Sequence, residues 1–125
     1  MKTEPSLTTL RDQLRAFAQE RDWNQFHSPK NLAMALIAEA GELVEHFQWL
    51  TEAQSMALSE EQREQVAQEL ADVLLYLIRL SDQLDIDLAQ AAAAKMKVNA
   101  EKYPADQARG SAKKYTVYQA QQDKN

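Results

Sequence analysis

Apolar residues recur along this chain at steps of three and four, the spacing that lines up one face of an α-helix. Leu7, Leu10, Leu14 and Phe17 form such a stripe and predict a helix over 6–21. The period breaks at Asp22-Trp23-Asn24-Gln25-Phe26-His27-Ser28, a short connection with two bulky aromatics. Ser28-Pro29 then reads as a helix start, with Ser as N-cap and Pro in the first turn, where its missing N–H costs nothing. The stripe Leu32, Leu36, Ala40, Leu43, Phe47 and Leu50 carries that second helix to about residue 50. After a polar connection over 51–58, Ser59-Glu60-Glu61-Gln62 has the capping-box spacing and opens a third helix, expected to reach about residue 84. Asp87 is placed to cap a fourth, alanine-rich helix over 88–102, which Tyr103-Pro104 ends because proline cannot continue a helix.

Four helices with short connections predict an all-α fold, an antiparallel four-helix bundle over 1–104. Residues 105–125 are polar, hold Lys113, Lys114, Tyr115 and Tyr118, and show no sustained apolar period. They are expected to form a polar C-terminal tail, or an arm docking on a neighbour. Leu70, Val73, Leu74, Leu75, Tyr76, Leu77, Ile78 and Leu80 cover nearly the whole circumference of the third helix. A helix apolar on every side belongs in the middle of something, so the bundle is expected to be completed by oligomerisation.

Composition narrows the chemistry. The 125 residues contain no cysteine, which removes disulfide scaffolds, thiol catalysis and cysteine-rich zinc modules. With 2 Gly and 3 Pro the chain lacks the turn residues of an all-β fold, and Gly41 and Gly110 lie too far apart for a phosphate loop. The net charge of −5 is the wrong sign for a duplex nucleic-acid binder. No apolar run approaches a membrane span, and Met1-Lys2-Thr3-Glu4-Pro5 has no signal-peptide core, so a cytoplasmic location is expected.

Two strings share one pattern: Ala38-Glu39-Ala40-Gly41-Glu42-Leu43-Val44 and Gln68-Glu69-Leu70-Ala71-Asp72-Val73-Leu74. Each sets two acids three residues apart, as neighbours on one helix face. The short link between the helices makes them antiparallel neighbours, so the acidic pairs can face each other. Acidic pairs on helices are ordinarily solvated surface. Here, however, Glu39 and Glu42 flank the core stripe together with His46, whereas Glu45 points to the opposite side, and Glu69 and Asp72 lie within the apolar segment. Carboxylates so placed repel one another and lose hydration unless a cation compensates. The second helix has no Lys or Arg past Lys30, and only Arg79 follows in the third. A metal is the better answer. All-oxygen donors suit Mg²⁺, Mn²⁺ or Ca²⁺, and Mg²⁺ characteristically completes its shell with waters and substrate phosphates. Neither His27 nor His46 has a Glu three residues before it, which separates this pattern from di-iron bundles, and His46 is expected to pack beside the site.

Glu39-x-x-Glu42 followed by Glu69-x-x-Asp72 on two helices of a short acidic chain resembles the MazG-type all-α nucleotide pyrophosphohydrolases, and within them the dCTP pyrophosphatase branch. The resemblance extends through Glu20-Arg21-Asp22-Trp23, Gln25-Phe26-His27, Asn31-Leu32, Phe47-Gln48-Trp49, Asp72-Val73-Leu74, Tyr76-Leu77, Lys95-Met96, Asn99, Tyr103-Pro104 and Lys114-Tyr115-Thr116, covering roughly residues 6–117. It implies a catalytic domain over 1–104 and Mg²⁺-dependent hydrolysis of dCTP, or a modified dCTP, to the monophosphate and pyrophosphate. Glu39, Glu42, Glu69 and Asp72 match the family's metal ligands, with Mn²⁺ a possible substitute for Mg²⁺. Lys95 and Asn99 match residues that contact phosphates and sugar, Tyr76 lines the same pocket, and Trp23 and Trp49 match aromatics that enclose the base. The family's habit of forming tetramers, as dimers of dimers, agrees with the apolar third helix. One position departs: where close eukaryotic relatives carry a histidine in the first helix, this chain has Leu14.

The residues taken alone are compatible with these roles. Lys95 and Asn99 are one helical turn apart and share a face, and each Trp sits at a helix end where a ring can stack on a base. No activated nucleophile is present, so water is expected to attack the α-phosphate directly, with Glu39 or Glu42 the candidates for general base. The competing expectations are the same chemistry on dUTP or another non-standard dNTP, and a non-catalytic helical oligomerisation module whose acids are only solvated.

Overall fold

The computed structural model describes residues 4–123; Met1–Thr3 and Lys124–Asn125, the outer edges of the two expected segments, lie outside it. The described residues form helices joined by turns, with no strand among them. The helices are α1 (Leu7–Glu20), α2 (Pro29–Glu45), α3 (Glu52–Ser55), α4 (Glu60–Gln83), α5 (Leu88–Lys102), α6 (Ala105–Ala108) and α7 (Tyr115–Asp123), with a 3₁₀ turn at Asn24–Phe26. The all-α expectation holds. The chain separates into two compact units, Met1–Ile86 and Asp87–Asn125.

Helix starts follow the sequence signals closely. The Ser28 side chain accepts from the Asn31 N–H with Pro29 behind it, Ser59 and Gln62 form the reciprocal capping box, and Asp87 accepts from the Gln90 N–H. Each satisfies a backbone donor that the first helical turn leaves unpaired. Two ends differ from expectation. α2 stops at Glu45, and tighter turns carry the chain through Phe47 and Leu50. The connection over 51–58 contains α3, closed by a second capping box between Thr51 and Gln54.

Two helices end in the same motif without glycine. Asp22 has φ of 53° and Asp85 has φ of 55°. Asp22 N–H donates to the Gln19 carbonyl and Trp23 N–H to the Ala18 carbonyl; Asp85 and Ile86 repeat this on Asp82 and Ser81. This is the Schellman arrangement, with aspartate in the left-handed position that short polar side chains tolerate. Its consequence at the end of α1 is that the Trp23 backbone is pinned onto the last turn, which fixes where the indole begins.

In the first unit α2 and α4 run antiparallel: the carbonyl of His27, just before α2, accepts from Gln83 near the end of α4, while His46, just after α2, approaches Glu69 at 4.0 Å. Leu32, Val66 and Ile78 are buried, with Ala18 of α1. α1 is tied to the end of α4 by Arg15, whose Nε donates to Asp82 Oδ2 at 2.7 Å. Asp82 is also approached by Arg79 at 3.7 Å, and its side chain is only 10% exposed. The apolar circumference of α4 is only partly covered within the chain. Ile78 is buried, whereas Leu70, Leu74 and Leu77 are exposed, as are Met34, Ile37 and Val44 on α2.

In the second unit, residues 105–123 contain α6 and α7, where the sequence pattern predicted no regular structure. Aromatic anchoring supplies what periodicity does not. Tyr118 is 3% exposed and its ring meets Tyr103 edge-on at 5.9 Å, and Lys102 Nζ lies 4.6 Å from the Tyr115 ring centroid.

The Arg15 hydrogen bond, with the charges of both arginines, holds the Asp82 carboxyl below the ordinary carboxylate range. A depressed folded-state pKa contributes stability that is complete above the unfolded value and disappears as pH falls through the folded one. Asp82→Asn is therefore expected to cost about 1–3 kcal/mol at pH 7. The gap to the native chain should close below about pH 4 in denaturant titrations.

Candidate functional site

The two acidic strings meet across the α2–α4 seam. One carboxylate oxygen from each of Glu39, Glu69 and Asp72 lies within 4.8 Å of the others. Antiparallel packing is what allows this, because the i, i+3 pair of one helix is then presented to that of the other. Glu42, one turn after Glu39, is exposed. His46 packs beside the cluster, its Nε2 4.0 Å from Glu69.

The electrostatics of this cluster are unfavourable as it stands. Oε2 of Glu39 and Oε2 of Glu69 are buried without a hydrogen-bond partner. Burial first, then the neighbouring Glu42 carboxylate, then the charges of Asp72 and Glu69 push the Glu39 carboxyl up to about 7. Arg79, the one cation within the apolar part of α4, does not relieve them. Its guanidinium is engaged by the aromatic turn instead: Nε donates to His27 Nδ1 at 3.1 Å and Nη2 to Asn24 Oδ1. Buried, unpartnered carboxylate oxygens converging from two helices fit a hard divalent cation, which would satisfy the free lone pairs and cancel the repulsion.

Beside the acids lies a pocket of about 160 Å³ lined by Leu14, Phe17, Ala18, Trp23, His27, Asp72, Leu75, Tyr76 and Arg79. Asp72 belongs to both the acid cluster and this lining. The walls are aromatic and aliphatic. Phe17 and Trp23 meet edge-on with centroids 5.6 Å apart, and Trp23 meets His27 at 6.2 Å. Leu14, the position of departure in the sequence, is part of the wall. His27 is held below its ordinary pKa by burial and by the Arg79 charge, so its ring is neutral at pH 7.

The structure thus brings together Glu39, Glu69 and Asp72, with Glu42 adjoining, and sets Trp23 and Tyr76 in the pocket that Asp72 borders. Trp49 stands apart, 87% exposed in the turn after α2 and outside the lining of that pocket. Lys95 and Asn99 are one turn apart on α5, in the second unit. Sequence reasoning did not assign Arg79 and His27 to the pocket, whereas Leu14 was singled out there as the position of departure. The signal for Arg79 was present: Asp72, Tyr76 and Arg79 stand at i, i+4 and i+7, one face of α4.

Comparison with known proteins follows the same lines. The model of the MazG-like family matches residues 35–117, a stretch that includes all four acids. The likeness extends along most of the chain: dCTP pyrophosphatase 1 of Mus musculus is 47% identical over 115 residues, which are 90% of this chain and 68% of that protein. The Homo sapiens protein of the same name is 45% identical over the same shares. A crystal structure of a pyrophosphatase from Archaeoglobus fulgidus superposes with a TM-score of 0.75 at 37% identity, covering 83% of this chain and 97% of its own. With an acidic seam, a helical frame and relatives that agree along nearly its full length, this chain belongs to the MazG-like family.

Proposed function

We propose that the protein is a nucleoside triphosphate pyrophosphohydrolase that converts dCTP, or a modified dCTP, to the monophosphate and pyrophosphate, clearing the nucleotide pool of the cytoplasm. The observation that carries this reading is the convergence of Glu39, Glu69 and Asp72 beside an aromatic pocket that shares Asp72. A reaction at the α-phosphate requires a charge-handling centre and a base-sized recess side by side, and this arrangement supplies both. The names of the dCTP pyrophosphatase relatives support the substrate.

Glu39, Glu42, Glu69 and Asp72 would hold Mg²⁺, or Mn²⁺ in its place, through carboxylate oxygens. When bound, the ion supplies Lewis-acid stabilisation of phosphate charge and a lowered pKa for water. The chain's own residues do the rest. Trp23 and the walls around it receive the base and exclude water from that end of the substrate. Tyr76, whose ring lines the pocket, offers a hydroxyl donor to a substrate oxygen. Lys95 and Asn99, a cation and an amide on one helix face, suit the phosphates and the sugar. Glu39 or Glu42 takes a proton from the attacking water. Trp49, exposed after α2, is the second aromatic available to stack on the base. The exposed leucines of α4 and the apolar side chains of α2 support assembly as a tetramer, a dimer of dimers.

Three outcomes test this reading. Glu39→Gln and Asp72→Asn should each lower pyrophosphate release from dCTP with Mg²⁺ by on the order of 100-fold or more while leaving helical circular dichroism intact. Full activity in both variants rules out the site. Without divalent ions, the raised pKa of Glu39 gives stability that is complete below the unfolded value near 4.5 and is lost as pH rises through about 7. The melting temperature in chelator should therefore fall between pH 5.5 and 8, less steeply in Glu39→Gln, and added Mg²⁺ should restore it. Trp49→Ala should raise KM with little change in kcat, since stacking contributes equally to substrate and transition state; an unchanged KM removes Trp49 from the base site.

A further inference from the structure

Arg79 is a charge in an unusual place. It lies in the apolar stretch of α4, is 6% exposed, and lines the pocket together with Trp23, Leu14 and Tyr76. Burying a guanidinium is expensive unless its donors are used. Arginine has five N–H donors in a planar fork. The hydrogen bonds formed with the described residues engage Nε, to His27 Nδ1, and Nη2, to Asn24 Oδ1; Nη1 makes only a 3.7 Å ion pair with Asp82, beyond hydrogen-bonding range. Asp82 is meanwhile taken by the shorter contact from Arg15. The fork is clamped in orientation by two hydrogen bonds, and its other N–H donors make none with the described residues.

We infer that Arg79 is a specificity-determining residue, donating from its guanidinium to a carbonyl oxygen of the nucleobase, such as O2 of a pyrimidine. The inference rests on the pocket of the proposed function receiving the base. The pocket's remaining polar groups point the same way. His27 accepts from Arg79 through Nδ1, so its neutral ring carries its hydrogen on Nε2 and is a second donor. Asp72 is the one carboxylate in the lining and is shared with the acid cluster. With Asp72 shared with the acid cluster, the nitrogen groups of Arg79 and His27 are the donors of a recess set between aromatic and aliphatic walls, and such a recess suits a flat ring with an acceptor edge. Asn24 is a positioning residue in this scheme: it touches Arg79 and lies outside the pocket lining, and the Schellman turn at Asp22 sets the start of the segment that carries it and His27. Leu14 leaves the recognition of the carbonyl to Arg79, because it brings no polar atom to the wall.

The test compares dCTP with the triphosphate of the abasic deoxyribose, which presents the same phosphates and sugar and no base. In Arg79→Met, kcat/KM for dCTP should fall by about 10-fold or more, mainly through KM, while that for the abasic substrate changes by less than about 2-fold. Arg79→Lys should fall between, since an ammonium keeps the charge and loses the fork. Asn24→Ala, at an exposed position, releases the clamp without removing the charge and should narrow the preference for dCTP with the fold intact, which keeps the test decisive if Arg79→Met does not fold. Equal losses on both substrates in the variants assign Arg79 to structure alone and overturn the inference while leaving the hydrolase reading in place. A native chain that cleaves neither substrate overturns both.

Discussion

The structure turns on a repulsion. Two antiparallel helices each present acids across their seam, and three carboxylates reach within 4.8 Å of one another with two of their oxygens buried and unpartnered. Nothing in the apolar packing of Leu32, Val66 and Ile78 compensates for that, and the nearest cation on α4 is committed elsewhere. A fold tolerates such an arrangement when the charges are balanced during work, and a divalent cation with a polyphosphate is the kind of partner whose charges close the account. The rise of the Glu39 pKa to about 7 is the same fact seen in protonation.

α4 carries the consequences into the pocket. Along one face it bears Glu69 and Asp72 into the acid cluster with Glu39 of α2, and Asp72, Tyr76 and Arg79 into the pocket lined by α1 and the aromatic turn, with Asp72 belonging to both. Because these residues share one rigid rod, the distance between the acid cluster and the pocket is set by helix geometry rather than by loop conformation. Sites built this way hold their spacing under thermal motion. The Arg15–Asp82 link fixes α1 to the end of the same helix and so fixes the pocket's outer wall.

Much of this was legible in the sequence. Ser28-Pro29, Ser59 with Gln62, and Asp87 announced three helix starts because capping is local chemistry between residues a few positions apart. The repeated acid-x-x-acid strings announced the cluster because a helical period converts spacing into direction. What escaped was non-local or aperiodic. The helices in 105–123 rest on Tyr103, Tyr115 and Tyr118 meeting one another, which no period reports. The pocket role of Arg79 depends on the aromatic turn folding back against α4, a contact between residues 52 and 55 positions apart. The early end of α2 at Glu45 went unseen because the apolar stripe continues through Phe47 and Leu50 in a tighter turn.

The most direct measurement is the anomalous scattering of a crystal of this protein soaked in Mn²⁺, collected near the manganese edge. The account predicts a peak between α2 and α4, in contact with carboxylate oxygens of Glu39, Glu69 and Asp72. A map with no peak there, or with manganese bound only at surface acids such as Glu60 and Glu61, contradicts it.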